Sequence, residues 1–147
     1  MSDSVTVGDY ESATAGDYDS ATAGYKGHAT AGDFAGATAG DRGHAYAGVS
    51  GTAKAGNHGH AYAGEGGTAT AGNYGHAVAG YNGTAIVGDD GHANSGPYGR
   101  VQGGKSSILT IAYGDTGSHL AVAHVGVNGI EPGVMYELDA EGYFVRY

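Results

Sequence analysis

Several things are scarce in this chain of 147 residues, and each scarcity closes a door. There is no cysteine, so no disulfide framework and no thiolate metal site can exist, and the redox compartment stays open. Only two prolines accompany 31 glycines and no G-X-Y period runs through the chain, which excludes collagen. No apolar stretch is long enough to span a membrane. The start, Met1-Ser2-Asp3-Ser4-Val5, has neither a basic region nor an apolar run. No secretory signal is visible there, and the expected location is cytoplasmic or virion-associated. Lys and Arg number 6 against 15 Asp and Glu, a formal charge of −9. That balance disfavours direct phosphate binding and favours solubility or a basic partner. Nucleophile elbow, phosphate loop and paired-carboxylate signatures are also missing.

What is present is a phase. Glycine returns at every eighth residue from Gly8 to Gly104. Alanine fills the third position before each glycine from Ala13 to Ala93, and the position just before it from Ala15 to Ala79. The unit x-Ala-x-Ala-Gly-x-x-Gly reads His44-Ala45-Tyr46-Ala47-Gly48-Val49-Ser50-Gly51 in one copy. A disordered linker has no reason to hold such a phase. Alternation of alanine with polar residues has period two, the signature of a strand with one buried face. The Gly-x-x-Gly segment is a turn, with glycine expected to supply positive φ at low cost. A helix would lose roughly 1 kcal/mol at each glycine relative to alanine.

The outward column before the first alanine sets the coil. It reads Ser20, His28, Gly36, His44, Thr52, His60, Thr68, His76, Thr84, His92, so histidine recurs every 16 residues. Two strands per turn place all five histidines on one face and the threonines on the other. The expected fold is therefore all-β: a flattened two-sheet β-solenoid of about six coils, rising roughly 4.8 Å per coil. Residues 1–104 form the solenoid, with Val5 and Val7 as a capping first repeat. Residues 105–147 form a small antiparallel β capping or interaction module. Within it, Ile108–Tyr113 and His119–Val125 read as strands, Val127-Asn128-Gly129-Ile130 as a type I′ hairpin turn, and Asp139–Gly142 as the turn of a last hairpin. An alanine-only interior buries little apolar area, so inter-coil hydrogen bonding and neighbour cooperativity must carry stability.

The candidate binding face is the stripe His28, His44, Tyr46, His60, Tyr62, His76 and His92. Imidazoles one coil apart are close enough for two to approach one metal at ~2.0–2.1 Å each, but no carboxylate shares the column, so no metal site is assigned. An aromatic and imidazole stripe could equally stack on a sugar, a base or another protein. The alternative face carries Thr52, Thr68, Thr70 and Thr84, where a Thr-x-Thr ladder could order water for ice binding. Lys54, Ile86 and Arg100 interrupt it. The turns hold Asp9, Asp17, Asp33, Asp41, Glu65, Asp89 and Asp90, ordinary turn residues that lack the dense acidic pattern of calcium-binding β-rolls. Flat sheets offer no cleft, so no enzyme and no cofactor are expected.

The octad Ala79-Gly80-Tyr81-Asn82-Gly83-Thr84-Ala85 resembles those of bacterial ice-nucleation proteins, whose 16-residue coils form a β-solenoid. Residues 9–96 carry that resemblance. The ending Val127–Tyr136 is similar to the C-terminal β module of uncharacterised phage and bacterial Gly/Ala-octad proteins. Both resemblances imply a solenoid, and neither implies an enzyme. The expected function is a non-enzymatic structural or interaction protein, phage-encoded, presenting the His/Tyr ladder to a protein or glycan. No nucleic acid or membrane contact is expected. A homo-oligomer through the N-terminal edge or the C-terminal module is an added expectation. The competing readings are an acidic inhibitor that imitates nucleic acid, and an ice- or metal-binding solenoid.

Overall fold

A computed structural model describes residues 3–114 and 118–147, so Met1 and Ser2 of the expected first repeat lie outside the described residues. Among those residues there is no helix. The strands are β1 (Ser4–Thr6), β2 (Ser12–Thr14), β3 (Ser20–Ala23), β4 (His28–Ala31), β5 (Gly36–Ala39), β6 (His44–Ala47), β7 (Thr52–Ala55), β8 (His60–Ala63), β9 (Thr68–Ala71), β10 (His76–Ala79), β11 (Thr84–Val87), β12 (His92–Ser95), β13 (Arg100–Gln102), β14 (Ile108–Tyr113), β15 (His119–His124), β16 (Met135–Leu138) and β17 (Phe144–Arg146).

Successive strands alternate between two sheets. The nine-stranded threonine sheet runs β1-β3-β5-β7-β9-β11-β13-β16-β17, and the eight-stranded histidine sheet runs β15-β14-β12-β10-β8-β6-β4-β2. All pairings up to β13 and β14 are parallel with a register of 16, such as Ala45↔Ala61 and Ala53↔Ala69. The chain is a β-solenoid of about seven turns, one more than the sequence suggests. The extra coil is closed by β14, which stays in phase: Ile108 pairs His92 and Leu109 pairs Ala93. Its larger apolar residues disguise it as part of the ending. The remaining strands add antiparallel to the same sheets, β15 on β14, β16 on β13 and β17 on β16.

The interior is alanine along its length, with Ala29, Ala37, Ala45, Ala53, Ala61, Ala69, Ala77 and Ala85 fully buried. At the C-terminal end Val101, Leu109 and Ile111 take over the alanine columns, and Tyr136 joins them. The Tyr136 hydroxyl accepts the Glu131 N–H at 2.8 Å.

The turns correct the expected role of glycine. In the repeats the positive φ falls on the residue after next, Tyr10, Tyr18, Lys26, Phe34, Arg42, Ser50, His58, Tyr74, Asn82, Asp90 and Tyr98; only Gly66 is a glycine there. The glycine column serves close approach instead. A methyl group built on Gly40 would meet the Gly24 carbonyl carbon at 2.9 Å and the Tyr25 nitrogen at 3.0 Å, both backbone atoms that cannot swing away. The Gly40 N–H donates to the Gly24 carbonyl at 3.1 Å, so the same contact stacks the coils. The second glycine of the turn obeys the same rule: a Cβ on Gly43 would lie 2.8 Å from the Gly27 carbonyl oxygen. Where no coil precedes, acids replace it. Glu11 accepts the Gly8 N–H at 2.9 Å and Asp19 accepts the Asp3 N–H at 2.6 Å, covering donors at the open N-terminal end.

The Asn-Gly turn is a second correction. Asn128 and Gly129 have φ of 51° and 81°, and the Ile130 N–H donates to Val127 at 3.1 Å, a type I′ geometry. Yet the flanking strands do not pair, because β15 lies in the histidine sheet and β16 in the threonine sheet. The turn sits on the crossing between sheets.

Candidate functional site

Parallel strands in exact-repeat register put identical side chains one above another. On the histidine sheet His28, His44, His60, His76 and His92 pair in sequence through β4, β6, β8, β10 and β12. Neighbouring ring centroids are 4.9, 4.8, 4.9 and 4.8 Å apart. The first three contacts are parallel to within 4–6°, and His92 is turned by 45° against His76. The next rung is Ile108, so the imidazole stack ends at His92. Beside this column Tyr46 and Tyr62 stack at 4.9 Å, each 6.3 Å from the histidine two residues earlier. The Tyr62 hydroxyl lies 3.4 Å from His60 Nδ1.

The rings therefore spend their faces on one another. What they turn to solvent is edges: imidazole nitrogens and phenol hydroxyls, a row of hydrogen-bonding groups rather than stacking platforms. A ring face is free for stacking on a sugar or base only at the ends of the stack.

Electrostatically the face is a neutral plate on an acidic body. Its two outward columns run Ser12, His28, His44, His60, His76, His92, Ile108 and Thr14, Thr30, Tyr46, Tyr62, Val78, Asn94, Thr110, and then Val122 and His124 on β15. None is Asp, Glu, Lys or Arg. Partial burial lowers the pKa of His44, His60 and His76, and the charge of neighbouring imidazoles lowers them further. Neutral imidazole is the form these positions favour.

The threonine sheet lines up Thr52, Thr68 and Thr84 in one column, but Gly36 precedes them and Arg100 follows. Thr70 stands between Lys54 and Ile86. Only Thr68–Thr70 is a full pair among these rungs.

The acidic turn residues have a job that composition does not disclose. The carboxylates of Asp9, Asp17, Asp33, Asp41 and Asp89 each accept the backbone N–H of the residue one coil on, at 2.7–2.8 Å. Asn57 and Asn73 do the same at 2.9 Å. Reading the turn column at period 16 (Asp9, Tyr25, Asp41, Asn57, Asn73, Asp89) would have pointed to this ladder, broken only at Tyr25, since the short Asp and Asn side chains are the usual acceptors from nearby backbone N–H groups. Turn aromatics also pair, Tyr18 with Phe34 at 5.3 Å and His58 with Tyr74 at 5.0 Å.

A cleft of about 550 Å³ lies between Pro97–Gly99, the end of β14 and the β16–β17 hairpin. Tyr98, Tyr113, Glu137 and Asp139 line it. The Asp139 carboxylate is occupied by the N–H groups of Glu141 and Tyr143 at 3.0 and 2.9 Å, and Glu137 faces Arg100 at 3.7 Å.

Comparison of the chain with protein-family models, with curated proteins and with solved structures returned no match.

Proposed function

We propose that the chain is a non-enzymatic interaction scaffold whose histidine-sheet face docks a macromolecular partner, a protein or a glycan. The observation that carries this reading is the uncharged face. A chain with a charge of −9 keeps every formal charge off two columns running the length of one sheet. Partner surfaces are depleted in charge at their centre and enriched in tyrosine, as this face is. With ring faces occupied, the partner meets hydrogen-bonding edges, so affinity rests on polar complementarity. Of the two resemblances, the phage and bacterial octad proteins suit the face better. The ice-nucleation reading needs a Thr-x-Thr array, and Gly36, Lys54, Ile86 and Arg100 break it.

The test is capture from bacterial lysate by wild type and by His44→Thr/Tyr46→Thr/His60→Thr/Tyr62→Thr, at low and high salt. A partner lost by the variant and retained in salt supports the face. A partner kept by the variant but released by salt assigns the contact to the acidic turns, and with it the nucleic-acid-mimic reading.

A further inference from the structure

The histidine stack has a chemistry of its own, independent of the partner reading; either can fail alone. Four imidazoles, His28, His44, His60 and His76, stack with near-parallel planes at 4.8–4.9 Å. A divalent ion bound to two imidazoles at ~2.0–2.1 Å spans at most roughly 4.2 Å between nitrogens. Because a bound ion lies in the plane of each imidazole, two neighbouring rings must tilt out of the parallel stack until their planes meet at it, as the planes of His76 and His92 already diverge by 45°. Rings two rungs apart are too distant to share one ion. Among the described residues no three His, Asp or Glu converge on one point, so such a site holds two protein ligands and completes itself with water.

The available nitrogen is identifiable. His44 Nδ1 is buried without a partner, and His60 Nδ1 sits beside the Tyr62 hydroxyl. At both positions Nε2 is the nitrogen left for an outside ligand, and at His60 the Tyr62 hydroxyl holds the other nitrogen in place. The absence of carboxylates from these columns removes the hard oxygen donors that Ca²⁺ and Mg²⁺ require, and imidazole favours Cu²⁺ above the other divalent first-row ions. The lowered pKa values of His44, His60 and His76 keep their lone pairs free of protons at neutral pH.

We propose that neighbouring histidines of the stack chelate Cu²⁺ in pairs, His28 with His44 and His60 with His76, so that the ladder takes two ions per chain. The alternative pairing of His44 with His60 and His76 with His92 gives the same stoichiometry. Adjacency, not histidine number, is the determinant.

Two double variants separate these. His44→Thr/His76→Thr leaves His28, His60 and His92, no two adjacent. His28→Thr/His92→Thr leaves His44, His60 and His76 contiguous. Each removes two imidazoles, and threonine already occupies the matching strand position at Thr52, Thr68 and Thr84, so both fold; far-ultraviolet circular dichroism checks this. CuCl₂ is titrated at pH 7.5 by calorimetry, with electron paramagnetic resonance counting the coordinated nitrogens. The expected result is two ladder ions with two nitrogens each for wild type, and one at unchanged affinity for His28→Thr/His92→Thr. For His44→Thr/His76→Thr the ladder affinity drops at least tenfold. Binding common to all three proteins belongs to groups outside the ladder. Indistinguishable variants, or a wild type without ladder binding, overturn the proposal.

Discussion

The alanine coils and the C-terminal end follow one backbone path with two ways of filling it. Between β2 and β10 the interior columns hold alanine alone, and glycine carries the turns because the preceding coil's backbone occupies the space of a Cβ. At the end, Val101, Leu109 and Ile111 sit fully buried in the same columns, so the interior must be wider there, and the added strands run antiparallel. The first region is fixed by exclusion and the second by volume. Burial of a full aliphatic side chain contributes about 1.5–3 kcal/mol, which the array forgoes at every rung, so the end anchors a solenoid whose middle relies on hydrogen bonds.

The comparison breaks most sharply under overpacking. Ala61→Leu has no room at a position without exposed surface, and Gly40→Ala drives a methyl group into backbone. Each is expected to cost about 3 kcal/mol or more and to lower the denaturation midpoint severely. Leu109→Ala at the end leaves a cavity, with an expected loss of about 2–4 kcal/mol. If Ala61→Leu proves milder than Leu109→Ala in urea titrations, exclusion does not govern the array.

Much of this architecture is legible in the sequence, because a period of 16 in the outward column already separates histidine from threonine. The seventh coil is hidden, since Ile108-Leu109-Thr110-Ile111 keeps the phase while abandoning alanine. The left-handed turn residues escape too. Tyr, Lys, Phe and Arg seldom take positive φ, and neighbouring glycines draw the eye. Here stacking overrides local preference: the Tyr74 N–H donates to the Asp89 carbonyl at 2.8 Å, and the N–H of Asn82 to Pro97 likewise. The candidate site was readable as a column of residue types, but the direction of the rings was not. Edge-on presentation follows from identical side chains in register, which only the pairing reveals.

Acid acts on the array through its histidine ladder. His44, His60 and His76 have lowered pKa values in the fold, by burial first and neighbouring imidazoles second. As pH falls below the ordinary histidine value of 6.5, the unfolded chain takes up protons before the folded one does. Stability is therefore complete above that value and declines as pH falls toward the lowered folded values. Urea midpoints of wild type should drop between neutral and mildly acid pH, and His44→Thr/His60→Thr/His76→Thr should flatten that slope. An unchanged slope assigns the acid sensitivity to groups outside the ladder.

Side-chain acceptors in the two regions are expected to matter equally but differently. Asn73→Ala removes an acceptor from the Asp89 N–H, and Asp139→Ala removes one from Glu141 and Tyr143. Each should cost about 1 kcal/mol. Hydrogen exchange should show the first loosening both adjoining coils and the second only the last hairpin, because only the array couples neighbour to neighbour.

The smallest effect concerns positive φ, which the two regions assign to different residues. The end gives it mainly to glycine, at Gly114, Gly126, Gly129, Gly133 and Gly142 with Asn128 as the exception, while the array gives it mainly to side chains such as Tyr98 at 60°. Tyr98→Gly relieves a left-handed penalty of about 1 kcal/mol, but glycine's added freedom in the unfolded chain takes back about 0.5–1 kcal/mol. The edge contact of Tyr98 with Tyr81 at 5.4 Å is also lost. The expected net change lies within about 0.5 kcal/mol of zero, and Gly66 shows that the turn accepts glycine at a φ of 67°. Gly142→Ala, at a φ of 88° and with the Tyr113 ring 3.2 Å from the new methyl, should cost about 1 kcal/mol or more. A loss well above 0.5 kcal/mol for Tyr98→Gly would mean that the aromatic turn residues stabilise the stack by contact, and that the array chose them over glycine for that reason.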